Sequence, residues 1–117
     1  MIDGSSRDNF AKSQEWIKSN REYLLRLLRV ITNTCIEHLR RQGDSGCDSL
    51  MIFDSWAYLV PEEHFEEIII NPTKEIIASL DNSYITITYP KGIGKKLFVN
   101  HFLNYFYLKE SKQSYNL

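Results

Sequence analysis

Leu50-Met51-Ile52-Phe53-Asp54-Ser55-Trp56-Ala57 is an apolar run that stops abruptly at an acid, a hydroxyl and an indole. Its apolar core is too short for an independent helix and suits a parallel strand covered on both faces. The polar side chains at its carboxyl end stand where α/β folds keep their chemistry. A strand over residues 48–54 is therefore predicted, with candidate functional groups just beyond it.

Downstream, Pro61-Glu62-Glu63 marks a helix start, because the first turn has no use for the N–H that proline lacks. Phe65, Ile68, Ile69, Ile76, Ile77 and Leu80 form its apolar face, and Pro72 is expected to kink or divide it. Residues 84–89 alternate Ile with Thr between two tyrosines, a second strand pattern that residues 90–94 end. Upstream, Ser5-Ser6-Arg7-Asp8 has the form of a helix cap, predicting a short helix to about Lys18. From Asn20 a longer helix carries a stripe of Leu24, Leu27, Leu28, Ile31, Cys35 and Leu39, with Gly43 as its stop. The predicted order is helix, helix, strand, helix, strand, helix. The two strands and the helix between them make a βαβ unit, and no third strand is convincing.

Composition narrows the function classes. The 117 residues fit one small domain, with 43% hydrophobic and 25% charged residues. Fourteen basic and fifteen acidic side chains leave a net charge of −1, which gives no global attraction to nucleic acid or anionic lipid. The polar first ten residues lack the apolar segment of a signal peptide, so a cytoplasmic location is expected. No apolar run approaches the roughly 20 residues of a membrane span. Cys35 and Cys47 lie too far apart for a Cys-x-x-Cys pair and read as reduced, small apolar packing residues. A zinc site would need His38 beside Cys35 with His64 or Cys47, a spacing unlike two close ligand pairs.

Four blocks in order resemble the uroporphyrinogen decarboxylase family: Asp3-Gly4-Ser5-Ser6 with Phe10-Ala11-Lys12, residues 46–57, Pro61-Glu62-Glu63 with Phe65, and Tyr89-Pro90-Lys91-Gly92. The resemblance implies an α/β fold that is part of a (β/α)8 TIM barrel, with its active site at the strands' carboxyl ends. It implies a carboxy-lyase that removes carbon dioxide from the acetate side chains of uroporphyrinogen to give coproporphyrinogen in haem biosynthesis. No metal or organic cofactor is implied. Ser55 matches the family's strand-end hydroxyl that hydrogen-bonds the tetrapyrrole's side chains, with Phe53, Asp54 and Trp56 as the wall beside it. On the residues alone, Asp54 or Ser55 simply caps a turn.

The family's paired arginines, central aspartate and late histidine have no counterpart in these residues, and Tyr58 replaces the glycine that usually follows Trp-Ala. Residues 1–96 are read as a partial decarboxylase domain and residues 97–117 as a divergent, aromatic-rich segment, as expected of an eroded or frameshifted ending. Since such a barrel needs about 250 residues, the chain is expected to be unstable or dependent on partners, such as companion fragments, and not catalytic alone.

Other readings compete with it. Arg21, Arg26, Arg29, Arg40 and Arg41 do not share one helix face and are interrupted by acids, which suits a solvated surface better than a nucleic-acid patch. Lys91-Gly92-Ile93-Gly94-Lys95-Lys96 resembles an anion cradle without nucleotide-loop spacing. Phe98, Val99, Phe102, Leu103, Tyr105, Phe106 and Tyr107 suggest a buried or sticky segment with affinity for a partner helix or a membrane. A non-catalytic remnant or helical interaction module, and a related barrel methyltransferase, are the remaining alternatives.

Overall fold

The computed structural model describes residues 10–80 and 84–93. Within them the chain is α/β, with helices α1 (Ala11–Ser19) and α2 (Arg21–Asp44), strand β1 (Ser49–Asp54), helices α3 (Glu62–Phe65) and α4 (Asn71–Ser79), and strand β2 (Ile85–Pro90). The predicted last helix, the aromatic segment and the Ser5–Asp8 cap lie outside the described residues. Helix α1 opens after Phe10, which holds a left-handed conformation (φ 57°).

The two strands pair in parallel, with Ser49 opposite Ile85 and Asp54 opposite Pro90. Pro90 has no N–H to offer, and the Lys91 N–H extends the pairing to the Asp54 carbonyl at 2.9 Å. One face of this sheet is covered: Leu50 is buried, and Ile52, Asp54, Thr86 and Thr88 are half-buried. The opposite face, with Met51, Phe53, Ile85, Ile87 and Tyr89, is exposed. This corrects the expectation of two covered faces. An apolar run records that a strand is suited to double burial, not that both layers are present.

Leu50 meets Ile36 and Leu39 of α2, Ile76 of α4 and Leu80 in one core, flanked by Cys35, Ile52 and Tyr84. A second core holds Ala57, Phe65, Ile69 and Ile70. The buried stripe of α2 differs from the predicted one, because Ile31 is exposed while Thr32 and Ile36 are buried. Leu24, Thr32, Ile36, Leu39 and Gly43 form a stripe turned to one side of the predicted one, and a polar threonine hides it from a hydrophobic count. Cys35 is half-buried as expected, whereas Cys47 is exposed and packs in neither core.

Two glycines exchange roles. The helix runs through Gly43, where an added Cβ would meet the Tyr84 ring at 2.5 Å; the glycine admits the ring, whose hydroxyl donates to Asp44 Oδ1 at 3.2 Å. Gly46, at φ 98°, makes the left-handed turn after the helix that was expected of Gly43. Pro72 sits in the first turn of α4, where the helix is divided as expected. A π turn over Glu66–Ile70 keeps the chain helical from Glu62 to Ser79, with the Asn71 N–H donating to the Glu66 carbonyl. The longer repeat relieves the usual clash of a proline ring with the carbonyl four residues earlier, and the Thr73 hydroxyl donates to the Ile69 carbonyl at 2.7 Å.

The five arginines of α2 serve this packing. Arg26 and Arg41 pair with Glu22 and Glu37 one turn earlier, Arg21 reaches Glu67 at 2.7 Å, and Arg29 reaches Glu75. Arg40 donates twice to the Ser79 carbonyl, placing a cation at the negative end of α4. Among the described residues no helix is long and apolar enough to cross a membrane.

Candidate functional site at the strand ends

The carboxyl ends of β1 and β2 bring together the candidate residues. Asp54 continues the covered face of Leu50 and Ile52, and its Oδ1 accepts a hydrogen bond from the Trp56 N–H at 3.3 Å. It therefore shapes the turn, as the residues alone suggested. Ser55 follows it, exposed to solvent. Trp56 is exposed as well, edge-on to Phe10 with ring centroids 5.0 Å apart and tilted against Tyr58 at 6.4 Å. The left-handed Phe10 thus ties the start of α1 to the turn after β1.

Tyr58 is the middle residue of a short 3-10 turn over Ala57–Leu59 that buries Ala57 in the second core. It lies against the turn after β2, where a Cβ on Gly92 would stand 2.7 Å from the Cβ of Tyr58. Gly92 has a φ of 75°, so glycine is required there by conformation as well as by space. Beneath this contact runs an open groove of about 450 Å³, lined by Gln14, Tyr58, Pro61, Phe65, Gly92 and Ile93, among others. Its involvement of Gln14 and Ile93 depends on how α1 returns to the strand ends, which local sequence patterns do not convey.

Burial pushes the Asp54 carboxyl above its ordinary value of 3.8, and the Trp56 N–H partly opposes that rise. A raised native pKa means that the folded chain holds the proton more tightly than the unfolded chain. This contribution to stability is present below the ordinary value and is lost as pH rises through the raised one. Asp54→Asn keeps an acceptor for Trp56 and should flatten that fall in urea midpoints measured from pH 3 to 7. An unchanged pH profile would show that Asp54 titrates normally.

The other sequence candidates separate. The Lys91 N–H is used by the Asp54 carbonyl, so it is not offered to an anion, and residues 94–96 of the suggested cradle lie outside the described residues. Cys35 and His38 both lie on α2, whereas Cys47 and His64 belong to other segments. Among the described residues no group of three metal-binding side chains forms.

Comparison with known proteins places this strand-end turn within one family. The uroporphyrinogen decarboxylase (URO-D) family model matches residues 1–105. The chain is 40% identical over 97 residues to the uroporphyrinogen decarboxylase of Rickettsia bellii, covering 80% of this chain and 28% of that protein. Identity to the Rickettsia africae and Rickettsia akari proteins of the same name is 38% and 36% over 97 residues, covering 80% of this chain and 28% and 29% of theirs. No solved structure matches the chain. The chain belongs to the uroporphyrinogen decarboxylase family, and it spans somewhat over a quarter of the length of these relatives.

Proposed function

We propose that these residues form a βαβ portion of a (β/α)8 decarboxylase barrel acting on uroporphyrinogen in the cytoplasm. The supporting observation is the placement of Ser55, exposed immediately past the carboxyl end of β1 beside the aromatic rim of Trp56 and Tyr58. In this reading the uncovered sheet face is the barrel interior, the decarboxylase portion spans residues 1–96, and residues 97–117 are a divergent addition.

The reaction breaks the bond between an acetate methylene and its carboxylate. Carbon dioxide leaves, its bonding electrons pass into a protonated pyrrole, and a proton then completes the methyl group. Ser55 donates a hydrogen bond that holds a substrate carboxylate in place. It neither moves the reacting proton nor stabilises the pyrrole cation. Those tasks need the acid and arginines that the resemblance places outside these residues, so Ser55 serves turnover only together with them.

Incubation with uroporphyrinogen, followed by chromatography of the oxidised products, tests this. The chain alone should give no coproporphyrinogen. Adding the remaining segments of the Rickettsia bellii relative should restore it, and Ser55→Ala should then lower turnover roughly 10- to 100-fold, the cost of one hydrogen bond to a charged group. Turnover by the chain alone, or an unaltered rate for Ser55→Ala, would each contradict the corresponding part.

A further inference from the structure

We propose that Phe10 is a positioning residue for Ser55, acting through Trp56: its ring braces the indole and so holds the turn after β1 in the form that presents the serine hydroxyl. This role rests on the substrate contact proposed for Ser55 and adds what keeps that contact in place.

Phe10 breaks two local rules at once. The residue before a helix favours a side-chain oxygen that can accept from the first free N–H groups, and phenylalanine has none. No side-chain cap bond forms there. A left-handed backbone is cheap for glycine and tolerable for asparagine or aspartate, but costly for a bulky side chain, and Phe10 holds φ 57° and ψ 41°. Among the described residues no other side-chain-bearing residue has a positive φ. Strain of this kind persists where the surroundings over-determine a conformation, and it gathers at functional sites. In return the Phe10 ring meets Trp56 edge-on, with centroids 5.0 Å apart and the planes at 69°, a favourable geometry for two aromatic rings.

That contact lies outside the packing that supports the fold. Neither ring belongs to either core, and no residue of α1 is buried. The contact acts instead on the turn. On one side of Ser55, the Lys91 N–H fixes the Asp54 carbonyl at 2.9 Å. On the other side, the Trp56 carbonyl accepts from the Leu59 N–H at 3.0 Å, while the Trp56 N–H reaches Asp54 Oδ1 at a longer 3.3 Å. None of these bonds is made by the Ser55 hydroxyl, so its position is inherited from its two neighbours. Strand pairing secures Asp54. Trp56 is held by bonds within its own turn and by the rings of Tyr58 and Phe10. Tyr58 belongs to the same turn and moves with it, whereas Phe10 ties the indole to a separate element.

Amide relaxation measured by NMR on the full chain, without substrate or companion segments, tests the brace. Order parameters of the Ser55 and Trp56 amides are expected near about 0.85, and Phe10→Ala should bring them below about 0.6. The amide of Leu39, in the core, should be unchanged. Phe10→Tyr keeps a ring and should keep both turn amides rigid. A second measurement uses the chain supplied with its companion segments. There Phe10→Ala should lower turnover roughly 3- to 10-fold, a part of the factor expected for Ser55→Ala. It should lower turnover no further once Ser55 is alanine, because no hydroxyl is left to misplace. A purely structural contribution would lower both backgrounds by the same factor. Rigid Ser55 and Trp56 amides in Phe10→Ala, loss of order at Leu39 as well, or equal effects in the two backgrounds would overturn the proposal. Failure of the serine's own role shows separately, as an unaltered rate for Ser55→Ala, and leaves the relaxation result as it is.

Discussion

Replacing Leu50 with alanine should lower the unfolding free energy by about 3 kcal/mol, within the range for a buried leucine whose surroundings relax only partly. Leu50 is 1% exposed and joins β1 to α2, α4 and Leu80 in one core. Its loss opens space between all these elements, and the sheet has no second covered face to share the loss. Small domains have only about 5–15 kcal/mol of stability, so the urea midpoint should fall visibly at unchanged slope. Ile31→Ala, on the exposed side of α2, is the control and should change stability by less than about 0.5 kcal/mol. Equal midpoints for the two variants would mean that Leu50 does not anchor the core.

Gly92→Ala should cost about 2–5 kcal/mol from two separable sources. A left-handed alanine carries roughly 1–2 kcal/mol of backbone strain. The new methyl also meets the Cβ of Tyr58, and overpacking of that kind costs about 1–3 kcal/mol. Tyr58→Gly removes the obstructing atom and restores the residue that the family resemblance places there. Combined with Gly92→Ala, it should therefore cancel the overpacking part and leave the backbone part. If the two substitutions add independently in a double-mutant cycle, Tyr58 and Gly92 do not clasp the strand ends together.

The order of elements was legible because their signals are local. The Leu50–Phe53 run, the alternating Ile and Thr of β2, and the Pro61-Glu62-Glu63 start each describe a few neighbouring residues. Features that depend on a distant partner were not. Gly43 looks like a helix stop until Tyr84, forty-one positions later, is seen over it. Pro72 marks a division of the helix, but the π turn that makes the division has no distinct hydrophobic pattern. Leu50–Phe53 looks doubly buried because apolarity records affinity for a covering layer rather than its presence. In the candidate site, Asp54 and Ser55 were found at the strand end by position alone. The contacts of Phe10 with Trp56 and of Tyr58 with Gly92 depend on the returning α1 and β2, and no residue spacing encodes them.

The parallel register has a consequence for the order of events in synthesis. Ser49 finds its partner in Ile85, thirty-six residues later in the chain. At about 5–20 residues per second, β1 waits roughly 2–7 s for β2 to be made, and no short hairpin is available to shield it meanwhile. Helix α2 is complete by then and offers Leu50 the Ile36 and Leu39 surface, whereas Met51 and Phe53 have no such shelter. Pairing must also close a long loop before any contact between the strands rewards it, which makes it a late and slow step. The risk of mispairing is therefore greatest while the nascent chain already contains β1 but not yet Ile85–Pro90.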